Sequence, residues 1–146
     1  MKLKDIMTKK VEVVPLECTV REAAEKMKTL DVGAIPVTDG KKLLGLLTDR
    51  DIALKVVAEG RDADETKVTE VMTSPIVWTY DDMEVGEAAR LMEVKMIRRI
   101  LIVNRDKKLV GIVALGDIAT RANEEIAGEI LERVSEQESF SQEAHP

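Results

Sequence analysis

The sequence has few of the residue types on which metal binding, nucleophilic catalysis and base stacking depend. Its 146 residues include one cysteine, Cys18, and one histidine, His145. A single cysteine cannot form an internal disulfide, which is typical of a reducing compartment. Zinc coordination and histidine-based acid–base catalysis would lack ligands and partners. Aromatic residues make up 2% of the chain, too few for a base-stacking platform. We therefore expect no metal site and no enzymatic activity.

Other signals that assign proteins to broad classes are missing as well. No apolar run approaches the ~20 residues that a membrane-spanning helix needs, and the N-terminus has no apolar core of a signal peptide. A net charge of −6 argues against DNA as a partner. The glycine-rich phosphate-binding loops and the G-x-S-x-G nucleophile motif are also absent. We expect a cytoplasmic protein without membrane association.

What the chain has instead is one unit of sequence that occurs twice. Residues 6–59 and 71–123 match at an offset of 65, so that Met7-Thr8 recurs as Met72-Thr73. After a one-residue insertion the offset becomes 66, and Asp51 recurs as Asp117. A repeat of this length that occurs only twice indicates two supersecondary units, each burying a face against the other. The predicted division is unit 1 over 1–60, a linker over 61–70, unit 2 over 71–123, and a helical extension with a polar tail over 124–146.

Hydrophobic periodicity predicts the order β-α-β-β-α in each unit, and therefore an α/β fold. A helical stripe starts at Val20, where Thr19 and Glu22 form a capping-box pattern, and it recurs from Val85. A second helix is expected from about Asp49 to Ala58, and its counterpart opens at Asp117. The predicted strands are Val11–Val14, Ala34–Thr38, Leu43–Thr48, Ile76–Thr79, Ile100–Val103 and Leu109–Val113.

An aspartate in the first turn of a helix follows a buried strand in both units. Thr48 and Asp51 stand at this junction in unit 1, and Ala114 and Asp117 in unit 2. A carboxylate there can accept hydrogen bonds from a vicinal diol, while the helix N-terminus favours phosphate. Thr48 and Asp51 also match an N-cap and its third residue, so helix capping alone could explain them. Ala114 cannot cap, which favours ligand binding at Asp117.

Two adjacent arginines, Arg98 and Arg99, precede a predicted strand in unit 2. Arginine forks suit phosphate oxygens, so the pair suggests a phosphate clamp, although a solvated strand end is the alternative. Unit 1 has Gly33 and Ala34 at the matching positions and carries no charge there. If the arginines bind an anion, the two sites are therefore not equivalent.

In these motifs the chain resembles the cystathionine-beta-synthase (CBS) domain family in its tandem form, the Bateman module. The resemblance covers about residues 1–123 and depends on motifs that agree in order and spacing. These motifs are Asp-Ile-Met-Thr (5–8), Glu-Val-Met-Thr (70–73), Val-Gly-Ala-Ile-Pro-Val (32–37), Gly-Leu-Leu-Thr-Asp-Arg-Asp (45–51) and Gly-Ile-Val-Ala-Leu-Gly-Asp (111–117). It implies two units that are related by a pseudo-twofold axis, pack through their sheets and leave two clefts.

The resemblance also implies ligands and residue roles. The family suggests AMP, ADP or ATP as the ligand, S-adenosylmethionine or NAD as second choices, and magnesium only in company with a triphosphate. It places ribose on the aspartate of each cleft. For the Asp117 cleft the implied residues are Asp117, Gly116, Ala114, Ile112, Arg98, Arg99, Thr8, Val11, Gly33 and Ala34. For the Asp51 cleft they are Asp51, Arg50, Thr48, Leu46, Thr73, Ile76 and Ile97.

The function that we expect from the sequence is therefore a stand-alone regulatory module. It would bind an adenine nucleotide, preferably in the Asp117 cleft, form a homodimer and signal to a separate protein. The alternative is a structural or dimerisation module with vestigial clefts, which Ala114 and the uncharged Gly33–Ala34 pair would suit.

Overall fold

The computed structural model describes residues 1–9 and 11–124, which form two three-stranded sheets with helices beside them. The strands are β1 (Val14–Pro15), β2 (Ala34–Thr38), β3 (Leu43–Thr48), β4 (Trp78–Tyr80), β5 (Arg99–Val103) and β6 (Leu109–Ala114). The helices are α1 (Val20–Leu30), α2 (Asp49–Ile52), α3 (Val85–Lys95) and α4 (115–124). Short 3-10 helices cover Leu3–Asp5 and Val68–Glu70, and a π-helical stretch, Ala53–Val57, extends α2. The mixed α/β class predicted from the repeat is confirmed. The polar tail expected beyond residue 124 lies outside the described residues.

The two sheets have the same topology. In the first, β1 pairs in parallel with β2, which pairs antiparallel with β3; β4, β5 and β6 repeat this arrangement. Even the irregularity recurs, because the register shifts after Val37 in β2 and after Ile102, its counterpart at offset 65, in β5. The repeat in the sequence is therefore a repeat in the backbone.

Side-chain caps set the starts of α1 and α2, whereas Glu84, which precedes α3, makes no side-chain capping hydrogen bond. Thr19 accepts a hydrogen bond from the Glu22 N–H, and Glu22 accepts one in return from the Thr19 N–H, so the predicted capping box is confirmed. The helices α1 and α3 both end in a left-handed residue at matching positions, Asp31 (φ 55°) and Met96 (φ 56°). Such a residue reverses the chain into the next strand.

Two predicted strands were placed too early. The strand expected over Val11–Val14 is β1, Val14–Pro15, because only these two residues pair with Val37 and Thr38. The strand expected over Ile76–Thr79 is β4, Trp78–Tyr80. In both units the residues before the paired stretch face a cavity instead of a neighbouring strand.

Four isolated bridges show how the units are related. Thr8 pairs with Ile112, and Leu46 pairs with Thr73, which is the same bridge with the units exchanged. The bridges Lys2–Glu84 and Thr19–Lys67 form a second exchanged pair. A pseudo-twofold axis between the units explains this exchange, as the resemblance implied.

The 3-10 helix that precedes the first strand of each unit packs into the core of the other unit. Leu3 is fully buried in the second core with Ala88 and Met92, and Val68 is fully buried in the first core with Ala23 and Met27. The stretch 61–70, expected to be a polar linker, therefore contributes an apolar anchor. Ala23 and Ala88, at matching positions of the two helical stripes, are core residues, because neither has exposed surface.

No helix among residues 1–9 and 11–124 is long and apolar enough to cross a bilayer.

Candidate functional site

The two strand–helix junctions place the aspartates as the sequence predicted, but in different surroundings. At the end of β3, the Asp51 N–H donates to Thr48 Oγ1 at 3.0 Å, and the Thr48 N–H donates to Asp51 Oδ2 at 2.9 Å. The capping-box interpretation of this pair is confirmed. At the end of β6, only half of the arrangement remains, since the Ala114 N–H donates to Asp117 Oδ2 at 3.0 Å. Asp117 is exposed, whereas Asp51 is buried.

A cavity of about 400 Å³ lies beside Asp117, at the seam between the units. Unit 2 contributes the end of β6 and the start of β5, and unit 1 contributes the chain after Thr8 and the start of β2. Eight of the ten residues predicted for this cleft line the cavity, namely Asp117, Ala114, Ile112, Arg99, Thr8, Val11, Gly33 and Ala34. Gly33 and Ala34 leave room here because they have little or no side chain.

Arg98 and Arg99 are not brought together in the cavity, contrary to the pairing that their adjacency suggested. Successive residues at the start of a strand point to opposite faces of the sheet. Arg99 lines the cavity, while Arg98 is exposed and uses its backbone carbonyl to accept the Leu115 N–H at 2.7 Å. Gly116, in the first turn of α4, is exposed and does not line the cavity either.

The Arg99 guanidinium spans the seam between the units. Its Nη2 lies 3.9 Å from Asp49 Oδ1 of unit 1, too long for a strong hydrogen bond, and a Cβ atom on Gly33 would lie 3.3 Å from the same nitrogen. Arg99 therefore lines the cavity, and among the described residues its guanidinium makes only this loose contact with Asp49.

Five residues that line the cavity were missed by the sequence reasoning: Lys9, Glu12, Leu30, Asp31 and Val32. Three of them, Leu30, Asp31 and Val32, immediately precede Gly33 and are positioned by the left-handed turn at Asp31. The sequence did not predict this turn, because a left-handed helix end usually carries glycine or asparagine and this one carries aspartate. Lys9 and Glu12 flank the predicted Val11 on either side, so their proximity to it was the available signal.

The cleft predicted around Asp51 is nearly filled. Lys55 Nζ lies 3.1 Å from Asp51 Oδ1 and donates to the Val71 carbonyl at 3.0 Å. Thr73 Oγ1 lies 3.5 Å from both oxygens of the carboxylate. Arg50 is exposed, and its backbone N–H donates to Asp49 Oδ1. Asp51, Thr48 and Arg50 therefore do not line an open cavity.

The remaining residues predicted for that cleft surround a cavity of about 50 Å³. It is lined by Leu46, Thr73, Pro75, Ile76, Val77, Ile97, Arg99 and Leu101. At the positions where the open cavity has Val32 and Ala34, this one has the larger Ile97 and Arg99. The difference in side-chain volume explains why one cleft is open and its pseudo-symmetric counterpart is closed.

Within the part of the chain that the structure describes, no group of three or more histidine, cysteine, aspartate or glutamate side chains could hold a metal ion. His145 lies outside the described residues. The open cavity thus offers the carboxylates of Asp117, Asp31 and Glu12, the cationic side chains of Arg99 and Lys9, and apolar walls that include Gly33 and Ala34. Carboxylates suit hydroxyl groups of a ligand, and the two cations suit a negative charge on it.

Comparison with known proteins identifies the family. The CBS domain matches residues 3–58 and, a second time, residues 68–124. The CBS domain-containing protein YhcV of Bacillus subtilis is 46% identical over 136 residues, which cover 92% of this chain and 96% of YhcV. A crystal structure of Hypoxic Response Protein I with two coordinated zinc ions superposes with a TM-score of 0.68 at 33% identity, covering 82% of this chain and 98% of that one.

A third relative was solved with ligands. The CBS domain pair of protein MJ0100, in complex with 5′-methylthioadenosine and S-adenosyl-L-methionine, superposes with a TM-score of 0.75 at 25% identity. The match covers 86% of this chain and 98% of that chain. Two family matches in tandem, an identity of 46% over nearly the full length and the two-sheet fold agree: the chain belongs to the CBS domain family and consists of a tandem pair of CBS domains.

Proposed function

We propose that this protein is a regulatory module that binds one adenosine-containing ligand in the cavity beside Asp117. The observation that carries the proposal is the asymmetry of the clefts: the Asp117 carboxylate is exposed beside a 400 Å³ cavity, whereas the Asp51 carboxylate is covered by Lys55. A cavity of that volume is in the range of small-molecule sites. The pair of MJ0100, crystallised with two adenosyl compounds, supports this ligand class.

The residues around the cavity suggest a role for each part of the ligand. Asp117 would accept hydrogen bonds from the ribose hydroxyls. Its Oδ2 accepts the Ala114 N–H, and its Oδ1 accepts no hydrogen bond from the residues at 1–9 and 11–124. Arg99 would bind phosphate, because its guanidinium is only loosely held by Asp49. The adenine ring would lie against the small walls at Gly33 and Ala34. AMP, ADP and ATP are therefore the preferred ligands, with magnesium bound only together with a triphosphate.

The proposed signal would pass through the relative position of the two units. A ligand in this cavity touches residues of both units, so it stabilises the arrangement in which both sets of contacts are made. We further propose that a separate protein receives the signal. We also infer a homodimer, because large apolar side chains remain exposed on the surface: Leu54, Val57, Val94, Met96 and Leu115.

A thermal-shift series tests the proposal. Nucleotide-free protein is melted with AMP, ADP, ATP, GTP, NAD and S-adenosylmethionine, alongside Asp117→Ala, Asp51→Ala and the surface control Asp106→Ala. A ligand at 100 times its Kd should stabilise the fold by about 2.7 kcal/mol. We expect an upward shift for an adenosine ligand in the wild type, in Asp106→Ala and in Asp51→Ala, and its loss in Asp117→Ala. No shift with any ligand would contradict the proposal and favour the structural module.

A further inference from the structure

A second large cavity lies at the opposite end of both sheets from Asp117. It has a volume of about 460 Å³ and opens between the two hairpin turns, the one that joins β2 to β3 and the one that joins β5 to β6. β6 connects the two sites, since it begins at this cavity with Leu109 and ends at the other with Ala114. We call it the hairpin cavity.

The floor of the hairpin cavity is apolar and contains an exposed tryptophan. Ile76, Val103 and the first residues of β3 and β6 line it together with Trp78, whose surface is 42% exposed. Trp78 packs edge-to-face against Tyr80 at 5.4 Å between ring centroids, and Arg105 stacks on Tyr80 at 4.0 Å. Tyr80 thus supports one side of the tryptophan ring, and another part of the ring is exposed to solvent.

The rim of the hairpin cavity is basic. Lys41 and Lys42 come from the first turn, and Lys107 and Lys108 come from the second. The repeat places a lysine pair in each turn, and the pseudo-twofold axis brings both pairs to one opening. Asp39 and Asp106 lie in the same turns but do not line the cavity. Asp39 accepts hydrogen bonds from the backbone N–H groups of Lys41 and Lys42 at 2.9 Å. None of the four lysines forms an ion pair with the residues at positions 1–9 and 11–124.

We propose that the hairpin cavity docks an acidic peptide segment of a partner protein, with a bulky apolar side chain of that segment seated against Trp78. Tryptophan is among the side chains that carry most of the energy of protein interfaces. The four ammonium groups are spread over two turns and are point charges, which match carboxylates distributed along an extended segment. No arginine lines the cavity to clamp a phosphate in a bidentate manner. This docking stands independently of nucleotide binding beside Asp117.

The chain supplies its own reporter for this site. Trp78 is the only tryptophan in the 146 residues, so intrinsic tryptophan fluorescence reports on the hairpin cavity alone. The probe is the synthetic peptide EELFEE, titrated into nucleotide-free protein at low salt. We expect a saturable change in emission that weakens as salt is added, because the attraction between exposed charges is screened. The peptides QQLFQQ, without charge, and EEGGEE, without an apolar anchor, should bind more weakly.

Two charge-matched variants separate docking from net charge. Lys42→Gln/Lys108→Gln removes two positive charges from the rim, while Lys28→Gln/Lys95→Gln removes two from exposed ends of α1 and α3. We expect binding about tenfold weaker in the first variant only. Equal binding by both variants, or no response to EELFEE, would overturn the proposal. An equal fluorescence change with inorganic tripolyphosphate would overturn the proposal in favour of a phosphate ligand. A fluorescence change that depends only on protein concentration would overturn it in favour of self-association.

Discussion

The ammonium nitrogen of Lys55 lies 3.1 Å from Oδ1 of Asp51, one turn earlier on the same helix. The pseudo-symmetric residues, Arg121 and Asp117, do not repeat this contact, since the Arg121 guanidinium lies 3.6 Å from Glu124. One aspartate is therefore neutralised within the chain while its counterpart faces an open cavity. A single ion pair, together with the larger side chains of unit 2, makes two homologous clefts chemically different.

Loss of Lys55 should destabilise the fold. In Lys55→Ala the buried Asp51 carboxylate loses its cation, so we expect the free energy of unfolding to fall by about 1–2 kcal/mol. This is less than for a fully buried pair, because the lysine itself is about half exposed. Urea denaturation measures the change. In the Asp51→Asn background the same substitution should cost less, and an equal cost in both backgrounds would show that the ion pair contributes nothing.

Arg99 should discriminate phosphorylated from unphosphorylated ligands. If its guanidinium binds phosphate, Arg99→Gln should weaken AMP binding by about 10- to 100-fold and leave adenosine binding nearly unchanged. Isothermal titration calorimetry measures both affinities. Arg98→Gln serves as the control, because Arg98 is exposed and does not line the cavity. An equal loss for AMP and adenosine in Arg99→Gln would assign the residue to the shape of the cavity instead.

Two glycines of the chain should respond in opposite ways to alanine. A Cβ atom on Gly45 would lie 2.8 Å from the Thr73 carbonyl oxygen and 2.5 Å from Met72 Sδ, where a segment of the other unit crosses β3. We expect Gly45→Ala to lower the free energy of unfolding by about 1–3 kcal/mol. Gly86, in the first turn of α3, has no atom within 4 Å of such a Cβ, so Gly86→Ala should stabilise by about 0.5 kcal/mol. Thermal or urea unfolding of the two variants measures both changes. Similar effects from both substitutions would contradict the close approach of Met72 and Thr73 to β3.

Asp82 should contribute stability that depends on pH. The Arg105 guanidinium donates two hydrogen bonds to it at 2.9 Å and holds the pKa of the Asp82 carboxyl below its usual value. A lowered pKa in the folded state gives stability that is present above the unfolded pKa of about 3.9 and is lost as the pH falls through the folded pKa. Asp82→Asn should therefore lower Tm at pH 7, and the difference from the wild type should narrow as the pH falls through the lowered folded-state pKa of Asp82.

Differential scanning calorimetry at pH 7 and at successively lower pH values measures this difference. Arg105→Gln should behave in the same way, because it removes the other half of the pair. A Tm difference between Asp82→Asn and the wild type that does not narrow as the pH falls would show that the aspartate acts through packing instead of charge.

The repeat and its periodicity predicted most of the secondary structure. The helical stripe after Thr19 and the apolar run Leu43–Thr48 became α1 and β3 at the predicted positions, because capping residues and hydrophobic spacing are local signals. The short strands β1 and β4 were misplaced, since their limits depend on how many residues reach a partner in β2 or β5. Local sequence patterns do not predict strand pairing of that kind.

For the candidate site, the sequence by itself determined that an aspartate follows a buried strand in each unit. It also determined that Gly33 and Ala34 of unit 1 occupy the positions equivalent to Arg98 and Arg99 of unit 2. Only the tertiary structure decided which cleft is open. That outcome depends on the ion pair between Lys55 and Asp51, and on the side chains of Ile97 and Arg99, which line the small cavity. It also depends on the start of β5, where Arg99 lines the open cavity and the preceding Arg98 is exposed. The convergence of the two lysine pairs around Trp78 was likewise decided by the packing of the units, because residues 65 or 66 apart become neighbours only when the pseudo-twofold axis brings their turns together.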